Sequence, residues 1–172
     1  MSNRSLIGQM IALILYVLGQ VTLGSQFILF DRAFTLLYVG FLLMLPLDSG
    51  PLLLMVVGFL TGLTVDIFYD TLGINAVSAL VLMYVRPRII ALLTPQGGIE
   101  PGATPSMVNM GTTWFSTYVL FSLLVYNLVL FFLEASSFRP FFYIMGNVLA
   151  STILTYLVLV IIQLAFYRKK TV

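Results

Sequence analysis

Apolar runs close to the length that crosses a bilayer recur from one end of this 172-residue chain to the other. A hydrocarbon core of ~30 Å takes about 20 apolar residues as helix, and a helix pairs its backbone polar groups within its own segment. Apolar residues make up 60% of the sequence and charged residues only 8%, where a soluble domain carries roughly 25% charged residues. No polar stretch is large enough to fold by itself outside the membrane. The expected fold class is therefore all-α: a polytopic integral membrane protein, one domain over residues 1–172, built as a compact bundle of six transmembrane helices.

The six expected spans cover about 6–23, 33–45, 52–68, 74–85, 114–133 and 141–167. Met1 to Arg4 and the run behind them have the outline of a signal peptide. The run is long and further apolar segments follow, so it reads as a first membrane helix. The second span is short and is expected to begin in the Phe-rich link before it. Pro46, Gly50 and Pro51 break the chain before the third span. Arg86-Pro87-Arg88 is expected to end the fourth, because proline cannot continue the backbone bonding and two arginines resist hydrocarbon. Ile89 to Leu93 then reads as a short surface helix. Residues 94–113, rich in Pro and Gly, predict a flexible cytoplasmic loop. Trp114 and Tyr118 read as anchors at headgroup level.

Orientation follows from the basic residues. Six spans put both termini on one side, with Arg4, Arg86, Arg88, Arg168, Lys169 and Lys170, and leave Arg32 and Arg139 on the other. That asymmetry places both termini in the cytoplasm and Asp31, Asp70 and Glu134 outside.

The chain has no Cys and no His. Disulfides, thiolate nucleophiles, imidazole bases and the usual zinc sites are thereby excluded. Asp66 and Asp70 have no basic or metal-ligating companion nearby in sequence, and no second acidic cluster completes a site. The chain is expected not to be an enzyme and to hold no cofactor or metal. No nucleic acid is expected among its partners.

The polar residues that remain are concentrated between Gly58 and Arg88. Gly58, Gly62, Asp66 and Asp70 recur every four residues, each step turning a helix by about 40°, so they form one slowly drifting stripe. Small residues at this spacing let another helix backbone come close. Two readings follow: Gly58, Gly62 and Asp66 dock a partner's transmembrane helix, or they pack this chain's own helices. Asp66 is a functional candidate if buried and an ordinary group if it lies at headgroup depth. Asp70 and Gly73 read as a turn and cap for the next helix, and Asn75 as a cap or a bond across the bundle. Arg86 and Arg88, like Arg168, Lys169 and Lys170, read as cytoplasmic basic contacts, to lipid phosphate or to a partner. Asn127 and the Asn147, Ser151, Thr155 stripe read as polar glue between helices.

The stretch from Gly58 to Arg88 resembles the signature region of the rod shape-determining protein MreD family. Gly58-Phe-Leu-Thr-Gly62-Leu-Thr-Val-Asp66 is similar to its glycine-rich helix ending in Asp. Leu72-Gly73-Ile-Asn75-Ala76 is similar to the turn and the start of the next helix. Tyr84-Val85-Arg86-Pro87-Arg88 is similar to a family variant with Arg-Pro after that helix. About 30 residues carry the likeness. It implies a non-enzymatic scaffold subunit of the bacterial cell-elongation complex, in the inner membrane, helping direct side-wall peptidoglycan synthesis and cell shape. The implied partners are an MreC-like bitopic protein, with MreB, RodA and its transpeptidase, besides membrane lipids.

A competing expectation is the substrate-binding membrane subunit of an ECF-type small-molecule transporter, also a small six-helix protein. It requires a polar pocket, for which Asp66, Asp70, Asn75 and Asn147 are the candidates. A third, an intramembrane lipid-modifying enzyme, lacks His, Cys and a second acidic group.

Overall fold

A computed structural model describes residues 3–24, 35–94, 102–135 and 141–165. Among these the regular elements are all helical. They are α1 (Asn3–Gly19), running into a π-helical turn (Gln20–Gly24), α2 (Leu37–Leu43), α3 (Pro51–Tyr69), α4 (Ile74–Leu93), α5 (Met107–Met110), α6 (Thr112–Glu134) and α7 (Phe141–Ala165). Four of them, α3, α4, α6 and α7, are long and apolar enough to cross a membrane. The apolar helix Ile11–Thr22 is shorter.

This differs from six full spans. The second expected span is the seven-residue α2, about 10 Å long at 1.5 Å per residue and too short for a ~30 Å core. It does not sit at the surface as a truncated helix would. Every residue from Tyr38 to Leu43 is buried. Non-helical backbone at membrane depth is tolerated where protein surrounds it, and α2 is so placed.

The fourth span also departs from expectation. Pro87 lies inside α4, which continues to Leu93. A proline removes one N–H and frees the carbonyl four residues back, yet here packing outweighs that cost: Ile89 and Ile90 beyond it are buried. The first arginine of the pair is buried too, so it does not draw the chain out towards water.

The expected flexible loop is structured over its described part. Residues 102–106 form a strap without regular secondary structure that leads into α5, and Pro105 and Met107 are buried. Leu47 N–H donates to the Ala103 carbonyl at 3.0 Å, and Gly102 N–H to Asp48 Oδ2 at 3.1 Å.

Hydrogen bonds between helices fix their directions. At the end of α1, Gln20 meets Tyr69 at the end of α3. Asn75, at the start of α4, meets Tyr126 of α6, while Arg86 near the end of α4 meets Tyr118 near the start of α6. Tyr38 of α2 reaches Asn75, and the Leu43 carbonyl reaches Arg86, so α2 runs parallel to α4. Thr155 and Gln163 of α7 meet Leu36 and Met44, so α7 runs the same way. The bundle thus has a turn end, with residues 70–73, and a link end, with residues 44–50. The outward faces are apolar, as at Val56 and Leu60 of α3 and Ile153, Leu157 and Ile161 of α7, as lipid contact requires.

Candidate functional site

The glycine stripe lies in the seam between α3 and α4. A Cβ built on Gly62 would stand 2.6 Å from the Ala76 Cα and 2.6 Å from the Asn75 carbonyl oxygen. One built on Gly58 would stand 2.6 Å from Met83 Cγ and 3.1 Å from the Ala79 carbonyl oxygen. The two backbones therefore touch along this line, and α4 occupies the groove. The expectation that Gly58, Gly62 and Asp66 present a surface to a partner's helix is corrected: this stripe packs the chain's own helices. Small side chains on both sides, Gly on α3 and Ala76 and Ala79 on α4, are what permit the approach.

Asp66 ends the stripe and is 3% exposed. Its Oδ2 accepts from Ala76 N–H at 2.8 Å, and its Oδ1 accepts from Asn75 N–H at 3.1 Å and Asn75 Nδ2 at 3.0 Å. The Thr71 hydroxyl also donates to Oδ1. A carboxyl group in the last turn of α3 thus satisfies the free N–H groups that open α4. The chain permits this by reversing within four residues. Asp70 takes the left-handed region at φ 52° and Gly73 takes it at φ 84°. The cap expected of Asp70 is therefore made by Asp66, while Asp70 itself is exposed at the turn.

Asn75 carries this knot into the rest of the bundle. Its Oδ1 accepts from the Tyr126 hydroxyl at 2.9 Å and the Tyr38 hydroxyl at 3.3 Å, and the two tyrosine hydroxyls also meet each other. Its Nδ2 donates to Asp66 and to Thr71 Oγ1. Of the two readings of Asn75, the structure shows the bond across the bundle. One amide links α2, α3, α4 and α6.

The second knot is at the link end. Arg86 is fully buried, not a surface contact. Its Nε donates to the Tyr118 hydroxyl at 2.7 Å. Its Nη2 donates to the carbonyls of Leu45 and, at 3.4 Å, Leu43, and its Nη1 to that of Pro46 at 3.5 Å. Tyr118 in turn donates to the Leu43 carbonyl at 3.0 Å. The Leu43 carbonyl is the last of α2 and those of Leu45 and Pro46 follow in the link, so the guanidinium stands at the negative end of a helix and satisfies the carbonyls where it stops. Tyr118 is correspondingly a buried partner of Arg86 instead of a headgroup anchor, with Trp114 stacked on it at 5.1 Å. Arg88 alone of the pair is exposed; it donates to the Tyr84 hydroxyl at 3.0 Å and lies 4.4 Å from that ring's centroid. Arg168, Lys169 and Lys170 lie outside the described residues.

The opposite end of α2 is capped in the same manner. Leu37 N–H donates to Gln20 Oε1 at 2.6 Å, Leu36 N–H to Thr155 Oγ1 at 3.2 Å, and Gln20 Nε2 to the Thr35 carbonyl at 3.0 Å. The buried half-helix is held by side chains at both ends. Asn127 and Thr155 bond between elements as expected of glue, Asn127 Nδ2 donating to Thr152 Oγ1 at 3.0 Å and Thr155 Oγ1 accepting from Leu36 N–H, while Asn147 and Ser151 are buried.

Sequence reasoning missed Tyr38, Tyr118 and Tyr126 because a tyrosine in a membrane helix reads first as an interfacial anchor. The available signal was polar spacing: Tyr118, Ser122 and Tyr126 also recur every four residues and share one face of α6. Of the candidates for a transporter pocket, Asn147 is buried in α7. Asp66 and Asn75 are bonded to each other, and Asp70 is exposed on the turn. Among the described residues no three acidic, His or Cys side chains gather to hold a metal. No family model, curated protein or solved structure matches this chain.

Proposed function

We propose that this chain is a non-enzymatic scaffold subunit of the bacterial cell-elongation complex, of the MreD type, working in the inner membrane with both termini in the cytoplasm. The observation that carries the reading is the fate of the signature stretch. Gly58, Gly62, Asp66, Gly73, Asn75, Ala76 and Arg86, which carry the resemblance, are the positions where α3, α4 and the buried half-helix interlock. A shared set of such positions specifies a shared architecture, and an architecture devoted to holding helices suits a scaffold. Partner helices then meet the outward apolar faces, since the glycine seam is filled from within.

Tagged full-length chain, recovered in mild detergent from rod-shaped bacteria, is expected to bring down an MreC-like bitopic protein together with MreB, RodA and its transpeptidase. Depleting the chain is expected to round the cells and disperse side-wall peptidoglycan insertion. A stoichiometric small molecule without those proteins would carry the transporter reading. Unchanged cell shape with no such partners overturns the proposal.

A further inference from the structure

We infer that the link end of the bundle is a latch, closed by Arg86 on the last carbonyl of α2, at Leu43, and on the carbonyls of Leu45 and Pro46 in the link that follows. The half-helix stops inside the protein, with Leu42, Leu43 and Leu45 buried at its end. Three acceptors within four residues, at Leu43, Leu45 and Pro46, are met by one guanidinium and, at Leu43, by the Tyr118 hydroxyl as well. These are carbonyls and a phenol, with no carboxyl group among them, so the cation is balanced by the dipole of the helix end it holds. Arginine suits this position because its donors spread in a rigid plane over separate acceptors, which a single ammonium does not do.

The bonds reach past α2. The link that begins at Leu45 is tied to the strap by Leu47 to Ala103 and by Gly102 to Asp48, and Pro105 and Met107 bury themselves beside it. Arg86 therefore fixes in sequence the end of α2, the link and the strap that closes over them. The turn end is held by a separate set of bonds, from Asp66, Asn75 and Gln20. Losing Arg86 opens the link end to water and leaves the turn end closed.

The chain has no cysteine, so single reporters are clean. Leu45→Cys marks the link end and Val65→Cys the turn end; both leucine and valine are buried. Each is placed in the full chain, in wild-type, Arg86→Lys, Arg86→Met and Tyr118→Phe backgrounds, in membranes open to a small water-soluble maleimide. In Arg86→Met the reporter at position 45 is expected to react roughly ten-fold faster or more, the scale of one lost charge-assisted hydrogen bond. Arg86→Lys and Tyr118→Phe should give smaller increases, and the reporter at position 65 should stay protected throughout. Continued protection at position 45 in folded Arg86→Met protein overturns the latch. So does equal exposure of both positions in Arg86→Met and in Tyr118→Phe, which would make Arg86 a support of the whole fold.

Discussion

Asp66 and Asp70 are the same residue type four positions apart, and their surroundings assign them opposite weights. Asp66 is buried and accepts from two backbone N–H groups that open α4. Asp66→Ala removes the cap and strands buried donors, so a loss of about 2–3 kcal/mol is expected. Asp66→Asn keeps one acceptor and should lose less. Asp70 is exposed with φ 52°, a conformation glycine adopts without the Cβ penalty of ~1 kcal/mol. Asp70→Gly should therefore be neutral or slightly stabilising. Unfolding in SDS, followed by the loss of helical circular dichroism, reads all three. An Asp70→Gly loss as large as that of Asp66→Ala would return the cap to Asp70. The polar residues of this knot were visible in the sequence as unusual groups in hydrocarbon. Which carboxyl group caps was not, because that depends on a backbone reversal only tertiary packing completes.

At the scale of elements, the close seam between α3 and α4 gives two glycines different tolerances. The Gly62 Cβ meets backbone atoms of Asn75 and Ala76, which cannot yield without parting the helices. The Gly58 Cβ meets Met83 Cγ at 2.6 Å, part of a side chain that can shift, and the Ala79 carbonyl oxygen only at 3.1 Å. Gly62→Ala should cost about 1–3 kcal/mol, the usual range for overpacking, and Gly58→Ala less than Gly62→Ala. Gly62→Leu should fail to accumulate as folded protein at all, where a partner-docking groove would have left it folded and merely unbound. Four long helices were legible from their apolar runs, and so was the break before Pro51. The half-helix α2 was not, since a short apolar run before a Pro/Gly link reads the same whether it crosses lipid or hangs inside the protein. What distinguishes the two cases is the set of capping side chains, and Gln20, Thr155, Arg86 and Tyr118 come from four other parts of the chain. Pro87 misled for a related reason: Arg86, Ile89 and Ile90 beside it are buried in protein, while Arg88 is exposed.

For the whole molecule, the bonds between helices order the chain without reference to any membrane. Gln20 against Tyr69 puts the end of α1 at the turn end, so α1 starts at the link end. Gln163 against Met44 brings the end of α7 to the link end as well. Among the described residues α1, α3 and α6 therefore run from the link end to the turn end, and α2, α4 and α7 run back, α2 as a helix of seven residues. Six passes are the parity on which the expected charge asymmetry rests, while among the described residues four helices are long enough to cross by themselves. Orientation is set by Lys and Arg near the span ends as the chain inserts; Arg88 lies with Arg86 in the link-end half of α4, the side on which six spans would also put Arg4, Arg168, Lys169 and Lys170. The link end should then face the cytoplasm. Asn109, exposed in α5, and Asp70, exposed in the turn, mark the two ends. In intact cells a membrane-impermeant maleimide is expected to label Asp70→Cys and to spare Asn109→Cys until the membrane is opened or inverted. The reverse pattern would invert the orientation. Labelling of both from outside would break the parity itself, and would mean that the pass through α2 does not carry the chain from one face of the membrane to the other.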